Sequence, residues 1–164
     1  MIKSNKIIGF MSLLSFICFT SCDTNAVFDE VQSTGGQWLK EDVKTFTFDA
    51  KDTLTYHNIY INLRADHKYP YSNVFIIVKT FQPDGKGTAD TLQYEMAKSD
   101  GEMLGNGITD LKESALWFKS KHRFKMIGSY KYEIEHAVRK AAAEAGDGSL
   151  DGINDVGLRI EKAQ

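Results

Sequence analysis

Cysteine and proline are both scarce in this chain, with two of each in 164 residues. So few cysteines exclude a disulfide framework, and so few prolines exclude a proline-rich, low-complexity chain. No charge of one sign dominates. The 20 basic residues stand against 22 acidic ones, for a formal net charge of -2, which leaves no electrostatic footprint for nucleic-acid binding. The uncharged, mostly apolar run from Ile7 to Thr20 is fourteen residues, short for a permanent bilayer span. No internal repeat and no second-domain linker interrupts the chain.

Catalytic signatures are missing too. There is no Gly-x-Ser-x-Gly elbow, and Gly101, Gly105 and Gly107 precede no helix-initiating Lys-Ser/Thr pair that would cradle a phosphate. An enzyme is therefore not expected, and no cofactor is implied. The four histidines form no His-x-His or His-x-x-x-His pair, so no metal site is expected among them. His136, on the face of Tyr132, Ile134 and Val138, reads as a core or sheet-edge histidine bonded to backbone.

What is present is globular. Hydrophobic residues make up 42% and charged residues 26% of the chain, enough for one domain with a real core. Thirteen glycines and 12% aromatics lean towards a turn-rich β protein.

Lys3 and Lys6 form a short positive region ahead of the apolar run, which ends in Phe19-Thr20-Ser21-Cys22 and gives way to Asp23-Thr24-Asn25. The pattern resembles a bacterial lipoprotein signal, with Phe19 where Leu is usual. Residues 1–21 are then the signal peptide and Cys22 the lipidation site, in an exported, membrane-anchored protein of the cell envelope. An ordinary cleaved signal with an incidental cysteine, or an uncleaved anchor, is the plainer alternative. On the lipoprotein reading Cys18 leaves with the signal, so no internal disulfide forms.

Residues 22–37, interrupted by Gly35-Gly36, read as a lipidated terminus and tether, with the domain spanning 38–164. Beyond Trp38 the apolar period is two, the mark of half-buried strands. Phe46 and Phe48 alternate with threonines; Ile59, Ile61 and Leu63 with Asn58, Tyr60 and Asn62; Val156, Leu158 and Ile160 with Gly157 and Arg159. The run Val74 to Val78 reads as a central strand covered on both faces. Gln82 to Gly87 is turn chemistry that predicts a hairpin. The Ala-rich stretch Ala137 to Ala145 predicts one short helix before the last strand. Seven to nine short strands give an all-β, antiparallel β-sandwich, with a jelly roll as one form of it.

Three further features invite chemistry. Asp147 to Asp155 places oxygen donors at positions one, three, five and nine of a calcium loop with Gly at six, but Leu158 stands where a bidentate Glu is needed. A turn is the better reading. Asp110 and Glu113 are paired carboxylates of the kind that serve acid/base work, and equally of the kind common on solvated surfaces. Trp38, Tyr69, Tyr71, Trp117 and Phe118 would suit a sugar-stacking platform, a protein interface or plain core packing.

One ordered set of residues goes further. It runs Cys22-Asp23, Val27-Phe28-Asp29-Glu30, Trp38, Ile61-Asn62-Leu63-Arg64 and Tyr71-Ser72-Asn73. It continues through Asp90-Thr91-Leu92, Tyr94-Glu95-Met96, Leu104-Gly105-Asn106-Gly107, Lys112-Glu113, Leu116-Trp117 and the closing Asp155 to Glu161. Together these resemble the gliding motility lipoprotein GldH family of Bacteroidota. The resemblance implies an exported, lipid-anchored, non-catalytic envelope protein, an accessory or structural component of gliding motility and type IX secretion machinery. Its implied partners are the membrane and other envelope lipoproteins or motility and secretion proteins. Only the lipidation role carries over to a residue, Cys22. A lipid-anchored carbohydrate-binding module is the alternative from a different class.

Overall fold

The computed structural model describes residues 25–137 and 148–164. It holds ten strands and, among the described residues, no helix, so none that is long and apolar enough to cross a membrane. All pairing is antiparallel.

One four-stranded sheet has the order β1 (Ala26–Ser33), β10 (Ile153–Lys162), β4 (Tyr56–Ala65), β7 (Lys112–Arg123). The other has the order β3 (Lys44–Ala50), β8 (Gly128–His136), β5 (Asn73–Phe81), β6 (Gly87–Glu95). A two-stranded bridge joins β2 (Gln37–Trp38) to β9 (Leu150–Asp151). The period of two explains the faces. Ile59, Ile61 and Leu63 from β4 and Val156, Leu158 and Ile160 from β10 are buried. So are Phe46, Val74, Ile76, Val78, Tyr132 and Ile134 from the second sheet, all in one cluster. Each such side chain contributes about 1.5–3 kcal/mol by leaving water. This is the packing of a two-sheet sandwich; with the two-residue β2 and β9 set aside, the eight long strands taken in chain order run 1-8-3-6 in one sheet and 2-7-4-5 in the other, an order that fits the jelly-roll form.

The expected hairpin joins β5 to β6, with Phe81 opposite Gly87. Its turn is closed by Gln82 N donating to Lys86 O at 2.8 Å, and Gly85 takes φ 82°. Two expectations change. First, strand structure is already present from Ala26 and does not wait for Trp38. The stretch read as tether contains β1, paired with β10 from Ala26 opposite Glu161 to Ser33 opposite Asp155. An edge strand buries little on its outer side; Asp29, Glu30 and Val31 are consecutively exposed, so no period of two was visible. Second, β5 is central but not covered on both faces. Val74, Ile76 and Val78 are buried while Phe75 is exposed.

The predicted helix, Ala137 to Ala145, lies outside the described residues apart from Ala137. That residue belongs to the sheet, its N–H donating to Phe75 O at 2.9 Å, so the strand's pairing reaches into the place where the helix was expected to start.

The connections set the two ends of the molecule. Residues 51–55 join β3 to β4, residues 124–127 join β7 to β8, and the β5–β6 turn lies beside them, Pro83 packing against Gly128. The start of β1 and the close of β10 share this end. Residues 34–36, 66–72 and 96–111 lie at the other.

Candidate functional site

Cys22 lies outside the described residues. Asn25 does not: its carbonyl accepts a hydrogen bond from Lys162 N at 3.0 Å, fixing the chain's entry at the end of β10. Three virtual bonds separate Cys22 from Asn25, which span about 11 Å at most. The lipidation candidate is therefore tied closely to the end of the sandwich that carries residues 51–55 and 124–127.

That end is cationic, which the sequence reading missed. Lys51, Lys121, Arg123, Lys125 and Lys162 are all exposed there. A β-bulge at His57/Ile59 turns the close of β7, and Lys121 takes φ 48° with its N–H held by Asn58 Oδ1 at 3.0 Å. Arg123 lies over the Tyr56 ring, 5.8 Å from its centroid. The stretch Lys119-Ser120-Lys121-His122-Arg123-Phe124-Lys125 signalled the basic cluster in the sequence, while Lys51 and Lys162 join it only through the fold.

The aromatic candidates are not brought together as a platform. Trp38 is fully buried, its Nε1 donating to Asp42 O at 2.8 Å and its ring edge-on to His136. Tyr69 and Phe118 are buried, and Tyr71 is half-buried edge-on to Tyr69. Trp117 alone of the five is exposed. It sits on the outer face of its sheet against Tyr60, with centroids 4.5 Å apart and planes tilted by 50°. The Tyr94 hydroxyl donates to Trp117 O at 2.6 Å, and burial pushes that phenol up to about 12. Alternation sends Phe118 inward and Trp117 outward.

The remaining candidates separate. His136 is buried with Nε2 3.1 Å from Trp38 O, the backbone-bonded histidine expected. In the described part of the calcium-like loop the expected turn is reduced to Gly152, between β9 and the start of β10, and the donors have other partners: Asp151 accepts from Gln37 Nε2, Asn154 donates to Asp66, and Asp155 pairs with Arg64. These partners draw the donors apart. Asp110 faces His67 at 3.9 Å, both largely exposed, while Glu113 pairs through its backbone with Asn106. Among the described residues, no group of three or more His, Cys, Asp and Glu is placed to hold a metal ion.

A cleft of about 210 Å³ opens between the sheets, lined by Thr80, Lys119, His122, Lys125 and Tyr132 among others. Burial, then the nearby Lys119 charge, lowers the His122 pKa, and burial raises that of Tyr132. The cleft thus presents Lys125, the Lys119 ammonium paired with Asp90 at 2.9 Å, and the rings of His122, Tyr130 and Tyr132.

Comparison with known proteins gives the family. The model of the GldH lipoprotein family matches residues 26–160. The chain is 45% identical over 150 residues to the "Gliding motility lipoprotein GldH" of Flavobacterium johnsoniae, covering 92% of this chain and 93% of that protein. It is 42% identical over 154 residues to the "Gliding motility lipoprotein GldH homolog" of Christiangramia forsetii, covering 94% of each. Among solved structures, the infectious bursal disease virus VP2 subviral particle is similar at a TM-score of 0.37 and 19% identity, covering 85% of this chain and 34% of that one; so slight a likeness carries no argument. The match therefore rests on sequence from β1 through most of β10, and the chain belongs to the GldH lipoprotein family.

Proposed function

We propose that this lipoprotein is an exported cell-envelope protein, acylated at Cys22, that acts without catalysis as an accessory or structural component of gliding motility and type IX secretion machinery. The observation that carries this reading is the 45% identity with a gliding motility lipoprotein over 93% of that protein's length. Acylation confines the domain to two dimensions and raises its effective concentration near partners in the same membrane. The exposed Trp117, braced by Tyr60, is the kind of aromatic anchor that protein interfaces favour.

The test is a crosslinked pull-down of the tagged, anchored protein from its own cells, read by mass spectrometry. Reproducible recovery of motility or secretion components that is lost in Trp117→Ala supports the reading. Recovery of the protein alone, together with binding on a glycan array, would replace it with the carbohydrate-binding alternative.

A further inference from the structure

The cationic end of the sandwich and the lipidation site lie at the same place, and the chain between them is short. Asn25 is bonded to Lys162, and about 11 Å of backbone at most leads from it to Cys22. A domain held on so short a tether has little freedom to turn its far end towards the bilayer.

Cations outnumber acids at this end, where the exposed Asp49 and Asp52 sit among five exposed cations. None of Lys51, Lys121, Arg123, Lys125 and Lys162 has an ion-pair partner among the described residues, whose ion pairs involve other cations. The exposed acids nearby are Asp52, whose carboxylate caps Leu54 and Thr55, and Asp49, which accepts from Ser129. Asp84 is neutralised by Lys86 at 2.9 Å. The opposite end, about 30 Å away along a ten-residue strand, exposes Asp100 and Asp110 along with Lys68, and its Glu102 is paired with Lys98 at 2.6 Å.

Apolar side chains project from the same loops. Leu54 is 78% exposed and Ile127 66% exposed, and Tyr56 stands beside Arg123 half in water. A rim of cations around apolar and aromatic tips is the composition that lies at a lipid headgroup boundary.

We propose that this strand-end face rests on the anionic phospholipid surface of the membrane that holds the anchor, with the tips of residues 51–55 and 124–127 at headgroup depth. The inference rests on the reading of Cys22 as the acylation site. It fixes the domain's orientation: strands upright on the bilayer, Trp117's sheet face turned sideways, and the 96–111 segment directed away. The anchor holds the protein at the membrane, and the basic surface sets how the domain is turned on it, each Lys or Arg near an anionic surface contributing about 1 kcal/mol.

The experiment uses the acylated protein reconstituted in vesicles of phosphatidylglycerol and phosphatidylethanolamine carrying a headgroup-level quencher. Fluorophores are placed through L54C, I127C and, at the opposite end, I108C. Intact mass and co-flotation with the vesicles read the anchor separately. The expected result is quenching at positions 54 and 127 and none at 108, weakened near 1 M salt, where the Debye length is about 3 Å. The double variant K51Q/K125Q should lower the docked-to-undocked ratio by about 25-fold, each lysine being worth about fivefold at an anionic surface, with the circular dichroism spectrum unchanged.

Co-flotation with no quenching at 54 and 127 overturns the orientation while leaving the anchor intact. Equal quenching on phosphatidylcholine vesicles, or no loss in K51Q/K125Q, overturns the role of anionic lipid. A mature protein without acyl mass at Cys22 overturns the anchor reading, and the inference with it.

Discussion

At the scale of single residues, three histidines report on the core. His57 and His136 are buried, and His122 is half-buried beside Phe124. Burial is the largest influence on each and lowers its pKa below the usual 6.5; the Asp52 charge opposes this at His57 and the Trp38 carbonyl opposes it at His136. The unfolded chain binds protons at these groups near pH 6.5, the folded chain only below that. Stability from keeping them neutral is therefore whole above pH 6.5 and falls as pH drops towards the folded values. Asp52, Asp66 and Asp84, whose pKa values are lowered from 3.8, lose their contribution only at more acid pH. Urea denaturation should give a lower midpoint at about pH 5.5 than at about pH 7.5. A flat midpoint across that window would show that the histidines are solvated.

At the scale of elements, the turn between β9 and β10 holds the two sheets' far end together. Gly152 takes φ 78°, donates its N–H to Gly36 O at 2.9 Å and accepts at its carbonyl from Asp66 N at 2.8 Å. A Cβ there would stand 2.2 Å from Tyr69 N, backbone that has no free space to yield. Gly152→Ala should cost about 2 kcal/mol or more, from the positive φ and the overlap together, read as a lower urea midpoint with unchanged slope. Gly35→Ala is the control, also at positive φ but with nothing within 4 Å, so its smaller loss isolates the clash. Equal losses would mean that φ alone matters.

At the scale of the whole molecule, the proposal sets the sandwich on a lipid anchor at Cys22. Cys22→Ala removes the thiol that thioether-linked lipid needs, so the protein should lose acyl mass and leave the detergent phase on phase partition. The folded domain should survive, since the buried core lies from Trp38 onwards and β1, whose Phe28 packs against it, starts at Ala26. A variant that still carries lipid would end the assignment of Cys22.

Much of the fold was legible because alternation alone decides which side chains of a strand face a core. Phe46 and Phe48, Ile59 to Leu63, and Val156 to Ile160 follow that rule, and Pro83-Asp84-Gly85 marks its hairpin through local backbone angles. The family, too, was legible from an ordered set of short matches. What the sequence could not display is anything set by partners distant along the chain. β1 is a strand because β10 offers it a free edge, not because of its own pattern. Among the described residues Phe75 and Trp117 lie on outer sheet faces that no second layer covers, while Trp38 and Tyr69 are enclosed by elements far from them in sequence. Lys51 and Lys162 meet the basic stretch at 119–125 only when β3, β4, β7 and β10 end side by side. Local chemistry fixes alternation and turns; burial and charge clustering are properties of surfaces, and surfaces exist only once the chain has packed.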